Sequence, residues 1–350
     1  MRILLLALVV WSAAAVPAWS QDTPRAFEAV DSLGEVVDGQ AQAGDVLATL
    51  AWEGGPFAFE VHETPRQEFD AVVTFASPKP SGDEGIDTAV LRWYRPAEAQ
   101  ADDGRGPDAQ GPKSPAVLLV HTLHPDLPVA TLLARGLKQR GVHAFVIELP
   151  GYASRVEEDR KFTGVTTLVN AAQAVGDCRR AYDVICAFDE AGLADIDNDR
   201  IAIQGTSLGS FIATSAAALD GCFNQTFLFL SGGDGVDILE NGQKDAFHVR
   251  GALQHYGYSG DKLRALIDPV EPLHIAHRLD PKSTWMFNAK DDTVVPAKNA
   301  ELLSQAIGLE DSHHVWLNGN HYTAFILLPG VLDRMKTEMG VDVANPAAGK

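Results

Sequence analysis

Along the chain, the pattern of apolar and polar positions changes rhythm twice. Residues 21–55 are polar and glycine-punctuated, show no strong period, and read as a lead-in segment. From 57 onward, short apolar runs bounded by Gly, Pro and Ser clusters predict strands at 57–61, 70–75 and 89–94. A polar, Pro- and Gly-rich stretch at 95–115 reads as a surface loop. Beyond it, continuous apolar runs at 116–120, 143–147, 201–203, 226–230, 284–287 and 315–317 mark further strands. They alternate with helical spacing over roughly 128–140, 168–192, 208–219, 297–307 and 322–338. An unbroken apolar run is what a strand buried on both faces requires. Strands alternating with helices imply right-handed crossovers, hence a mostly parallel central sheet with helices on both faces. The three leading strands are expected at its antiparallel edge. No repeat at solenoid or propeller spacing is present, and residues 56–340 read as one α/β domain.

Two segments fall outside this rhythm. Residues 232–282 interrupt it between two sheet strands. Their Phe247, Leu253, His255, Tyr256 and Tyr258, with Trp285 just beyond, fit either a small lid that selects substrate or an insertion packed onto the core. Residues 1–20 begin with Met1-Arg2, continue as an apolar stretch from Ile3, and end small-x-small at Ala18-Trp19-Ser20. That is the layout of a secretory signal cleaved before Gln21, which implies a secreted or periplasmic mature chain with no stable membrane insertion. A retained anchor is the alternative, because no charge falls between Ile3 and Ser20. A span needs about 20 predominantly apolar residues, and Ser12 and Pro17 weaken the far end. No cysteine follows the apolar run, so lipid attachment there is excluded.

Composition narrows the function classes. The 350 residues carry 47 Asp and Glu against 28 Lys and Arg, a formal net charge of -19. That balance argues against a broad nucleic-acid surface, since such surfaces work by neutralising phosphates with Lys and Arg. Three cysteines exclude a disulfide-dense scaffold, and none is spaced as a zinc knuckle or a redox CxxC. Cys178 and Cys186, on one expected helix, would stand roughly 12 Å apart along its axis, too far to bridge.

The chemistry is concentrated around residues 201–211, IAIQGTSLGSF. An apolar strand ends at a G-x-S-x-G pentapeptide and a helical pattern begins directly after it. In such a turn Gly205 and Gly209 leave room where side chains would collide. Ser207 is then lifted to the carboxyl edge of the sheet, with a helix N-terminus behind it. A serine hydroxyl attacks only when a base removes its proton, and that base is usually oriented by a carboxylate. His321 follows the last short strand, in a loop able to reach the sheet edge. His313 and His314 begin that strand at the opposite edge, and His255, His274 and His277 lie in the irregular stretch. Asp292 follows the penultimate strand in KDDTVVP and is the candidate carboxylate, with Asp291 and Asp234 as alternatives. The amide of Leu208, just after the serine, is one candidate oxyanion donor. The second comes from the loop after Val120, with the amide of Leu123 favoured and Thr122 the alternative. His121 reads as a residue that braces this loop.

These residues together resemble the α/β-hydrolase superfamily. The elbow at 205–209, the turn His121-Thr122-Leu123, the run ELPGY at 148–152, Asp292 before Val-Val-Pro, and Asn320-His321 occur in that family's order. They cover about 115–335 and look most like the dienelactone-hydrolase and acetyl-xylan-esterase-like branch. The resemblance implies a Ser207–Asp292–His321 triad and hydrolysis of small-molecule or polymer-borne carboxylic esters without metal or cofactor. One departure is Thr122, where many members carry glycine. A peptidase or amidase uses the same parts, and a non-catalytic binding protein can keep the fold; these are the alternatives.

Overall fold

The computed structural model describes residues 23–64, 68–96, 113–156 and 163–341; the segment read as a secretory signal lies outside them. Among the described residues, ten strands form one sheet. They are β1 (Arg25–Val30), β2 (Pro56–Glu63), β3 (Ala71–Ala76), β4 (Thr88–Tyr94), β5 (Ser114–Val120), β6 (His143–Glu148), β7 (Ile196–Thr206), β8 (Gln225–Phe229), β9 (Thr284–Ala289) and β10 (His314–Leu317). Their spatial order is β1-β2-β3-β4-β6-β5-β7-β8-β9-β10. Pairing is antiparallel from β1 through β4 to β6 and parallel from β6 to β10. The order reverses direction at β5, so β5 and β7 lie side by side at the centre with crossovers leaving to either side. In open α/β sheets a ligand site forms at the carboxyl ends of the strands where the order switches.

Ten α-helices accompany the strands: α1 (Ala41–Leu50), α2 (Pro128–Lys138), α3 (Thr163–Val169), α4 (Ala171–Glu190), α5 (Leu208–Asp220), α6 (Gly235–Asn241), α7 (Asp245–His255), α8 (Asp261–Ile267), α9 (Ala297–Ile307) and α10 (Leu328–Glu338). The central strands need no alternation because both of their faces are covered: every residue of β6 is buried, as are six of the seven in β5. Helix α5 is rich in Gly, Ala, Ser and Thr, and ten of its residues are buried. Small residues let its axis approach β7 closely, which brings its N-terminus beneath Ser207.

Residues 21–55 do not lack regular structure: they supply β1, the outer strand of the sheet, and α1. The residues directly after β1 are fastened to α4 by buried ion pairs and hydrogen bonds. The Arg180 guanidinium donates to both carboxylate oxygens of Asp31, at 2.9 and 2.5 Å. Asp183 accepts from the backbone and hydroxyl of Ser32, and Arg179 binds Asp183, Asp220 and Ser32. Elsewhere the elements match the expected rhythm with shifted ends. The long helix expected at 168–192 is two helices, α3 and α4. The final one begins as a 3-10 turn at Thr323–Leu327 before α10.

The interruption at 232–282 folds as α6, α7 and α8 followed by three 3-10 turns. Its Val236, Leu239, Leu253, Leu263 and Ile267 join Val165 and Leu168 of α3 in a second hydrophobic cluster, separate from the main core. The insertion is therefore both packed and, as described below, part of a cavity wall. Its aromatic residues are not what faces the cavity: Phe247 is 56% exposed, and Trp285 lies on β9 against His313.

Candidate active site

The turn from β7 into α5 is as tight as its two glycines suggest. Ser207 adopts φ 53° and ψ −116°, a conformation that side chains rarely take. A Cβ on Gly205 would strike the Ser210 Cα at 2.6 Å, and one on Gly209 would fall onto the carbonyls of Val120 and His121. The elbow is thus pressed directly against the loop after β5. Backbone bonds fix it further: the Ser207 amide donates to the Phe229 carbonyl at 2.9 Å, and its own carbonyl accepts from the Ser210 amide and hydroxyl.

Ser207, His321 and Asp292 lie in a hydrogen-bonded line. The Ser207 hydroxyl is 3.1 Å from His321 Nε2, and His321 Nδ1 is 2.7 Å from Asp292 Oδ2. The other Asp292 oxygen accepts the amides of Val294 and Val295 at 2.8 and 3.0 Å. An ionised carboxylate only accepts, so the imidazole carries its proton on Nδ1 and presents a lone pair to the serine. His321 and Asp292 are both buried, which fixes the geometry and keeps water from competing.

The competing residues are occupied elsewhere. Asp291 is exposed, and its amide donates to the Gly319 carbonyl. Asp234 caps α6 by accepting from the Asp237 amide. His313 stacks on Trp285 with ring centroids 4.1 Å apart and bonds the Thr284 carbonyl. His277 pairs with Asp38.

The loop after β5 is clamped by His121. Its Nδ1–H donates to the Thr122 carbonyl at 2.7 Å, and its Nε2 accepts the Leu149 amide at 3.1 Å. Both bonds are satisfied only by the neutral ring. Burial, the larger cause, together with the charges of Arg92 and Arg155, pushes its pKa down to about 4. The clamp has a geometric consequence. In a trans peptide the carbonyl of one residue points opposite to the amide of the next. The Thr122 carbonyl is held toward His121 and also accepts the His124 amide, so the Leu123 N–H is turned the other way. Leu123 lines the same cavity as Ser207 and Leu208. Of the two amides weighed in this loop, Leu123 is the one oriented by a buried clamp.

The cavity measures about 100 Å³. Its wall is mostly aliphatic and includes Leu168, Leu239, Val249 and Ile267. Leu239, Asp245, Ala246 and Val249 come from the insertion, and nothing in its sequence pattern signalled them, because short helices with no long period carry them. Among the described residues, no group of three His, Cys, Asp or Glu side chains is placed to hold a metal ion, and no helix is long and apolar enough to cross a membrane.

The chain has the α/β-hydrolase fold: one mixed sheet with antiparallel leading strands and a parallel remainder, helices on both faces, and a sharp strand-to-helix turn at its centre. Among solved structures, the chain is similar to an acetyl xylan esterase from Paenibacillus sp. R4, with a TM-score of 0.58 and 14% identity over 87% of this chain and 96% of that one. It is similar also to a puromycin-hydrolyzing peptidase of Mycobacterium tuberculosis, with a TM-score of 0.54 and 15% identity over 82% of this chain but only 46% of the peptidase, so it spans about half of that protein. The α/β hydrolase GrgF from Penicillium sp. sh18 aligns with a TM-score of 0.52 and 15% identity over 77% of this chain and 98% of that one. No family model and no curated protein matches the sequence.

Proposed function

We propose that the protein is a serine hydrolase of carboxylic esters that works through an acyl-enzyme, and that it is exported. The observation that carries the reading is the buried line from Asp292 through His321 to a serine held at positive φ over a helix N-terminus. Ser207 Oγ attacks the acyl carbon while His321 Nε2 takes its proton. Asp292, already bound by two amides, stabilises the imidazolium without becoming protonated. The amides of Leu123 and Leu208 receive the oxyanion, each such donor being worth about 2.7–4 kcal/mol in acyl transfer. His321 then returns the proton to the leaving alcohol. Water enters, His321 deprotonates it, and the second tetrahedral intermediate collapses to acid and free serine.

The aliphatic cavity beside Ser207 supports an apolar acyl group as the part of the substrate it holds. Turnover of p-nitrophenyl butyrate, with the matching p-nitroanilide as comparison, tests the reading. Faster hydrolysis of the ester is expected, and a higher rate on the anilide would move the assignment to amidase chemistry. A folded wild-type chain inert toward both would overturn it.

A further inference from the structure

Among the described residues that line the cavity at Ser207, Asp245 alone is of a charged type. The residue opens α7, and an acid in a first helical turn favours the helix dipole. That accounts for a carboxylate at the start of α7 but not for where the chain has been forced to put it. Lys244, immediately before it, has φ 51° and ψ −110°, a backbone state that side chains rarely adopt. Strained residues of this kind persist where surrounding structure over-determines them, and they gather at functional sites. Here the surrounding structure is the loop that bears Asp292. A Cβ on Gly242 would lie 2.5 Å from the carbonyls of Ile238 and Val294, and the Gln243 amide donates to the Thr293 carbonyl at 2.7 Å. The turn that delivers Asp245 is therefore stitched to the catalytic acid's own loop.

On its other side Asp245 faces Tyr322, the neighbour of His321. Burial first, and then the Asp245 carboxylate, push that phenol up to about 12, so it remains a neutral donor. The Lys244 ammonium lies over the Tyr322 ring, 4.7 Å from its centre. Among the described residues, Asp245 joins no ion pair. An acidic residue that joins no ion pair thus lines an otherwise uncharged cavity next to the reacting serine.

We infer that Asp245 is a specificity-determining residue: it makes the acyl cavity discriminate by charge, admitting neutral and cationic acyl groups and rejecting those that end in a carboxylate. The inference rests on the ester reading above. An acyl chain ending in an anion would lose its hydration on entry and meet a like charge, and no cationic residue lines the cavity to offset either loss. A quaternary ammonium of similar length would meet an attractive partner instead.

The test compares kcat/KM for p-nitrophenyl pentanoate, the p-nitrophenyl monoester of glutarate, and p-nitrophenyl 4-trimethylammoniobutanoate, in wild type and in Asp245→Asn. Wild type is expected to prefer pentanoate over glutarate, and the ratio should fall about tenfold in the variant, equivalent to about 1.4 kcal/mol. The preference for the ammonium ester over glutarate should fall further. Raising the salt concentration should narrow the wild-type ratios in the same direction, a readout that requires no variant to fold. If Asp245 only stabilises α7, the variant lowers all three rates together and leaves the ratios unchanged, and salt does nothing to them; that overturns the inference alone. Absence of pentanoate turnover by wild type defeats the ester reading itself and the inference with it.

Discussion

Replacing His121 with Phe separates catalysis from packing in the loop after β5. The substitution keeps an aromatic ring against Tyr152, whose ring centre lies 4.6 Å from that of His121. It removes both of the imidazole's hydrogen bonds. The Leu149 amide, fully buried, loses its acceptor; an unsatisfied buried donor costs about 1–3 kcal/mol. The Thr122 carbonyl keeps the His124 amide and so forfeits only a net bond of about 0.5–1.5 kcal/mol. A stability loss of about 1.5–4.5 kcal/mol follows, measurable by urea unfolding. The catalytic effect has a different origin. With the carbonyl released, the Leu123 peptide is free to rotate and the oxyanion meets one fixed amide instead of two. Complete loss of a donor costs about 10²–10³ in kcat, so a partly disordered one should cost about 10–10², with KM changing far less. Steady-state kinetics on p-nitrophenyl butyrate, well below the variant's melting temperature, give both constants. A folded His121→Phe protein with wild-type kcat would refute the orientation argument, whatever its stability.

The same ring carries a pH prediction, shared with His143. That side chain is buried and accepts the Trp93 indole N–H at 3.2 Å. Burial, with a smaller contribution from Arg95, brings it also down to about 4. Between pH 6.5 and 4 the unfolded chain binds protons that the native rings refuse, so stability is present above 6.5 and is lost as pH falls. Each ring should contribute about 3 kcal/mol of that loss, and a His143→Phe variant should show a shallower decline in thermal scans from pH 7 to 4.5. An identical slope in both proteins would contradict the assignment. Replacing Asp31 with Ala should destabilise the fold by about 3–5 kcal/mol, because Arg180 is then buried without its partner. Chemical denaturation reads this directly, and a loss under 1 kcal/mol would show that β1 is not anchored through that pair.

How much was legible in the sequence depended on whether a feature was local. The elbow was legible because its requirements lie within eleven residues: an apolar strand, two glycines flanking a serine, and a small-residue helix. His321 and Asp292 were found by chain order, each in a loop directly after a sheet strand, and the structure places them within hydrogen-bonding reach of each other and of the serine. The first two elements were missed. Strand β1 buries only Ala29 fully, so it shows little alternation, and what fixes it is an ion pair to Arg180, roughly 150 residues away. Helix α1 does carry a stripe at Ala43, Val46, Leu47 and Leu50, but Gly44 and the glycines ahead of it obscured the period. The cavity wall was the least legible part. Its side chains belong to short helices whose apolar faces pack on α3 and on the elbow at once, a constraint of tertiary structure with no repeat of its own.

The central claim is that Ser207 is an activated nucleophile, and covalent labelling tests it most directly. Wild-type protein treated with a fluorophosphonate probe should gain one adduct by intact mass, mapped by peptide sequencing to Ser207, and Ser207→Ala should gain none. A folded wild-type chain that stays unlabelled, or a Ser207→Ala protein labelled to the same extent, would contradict the account.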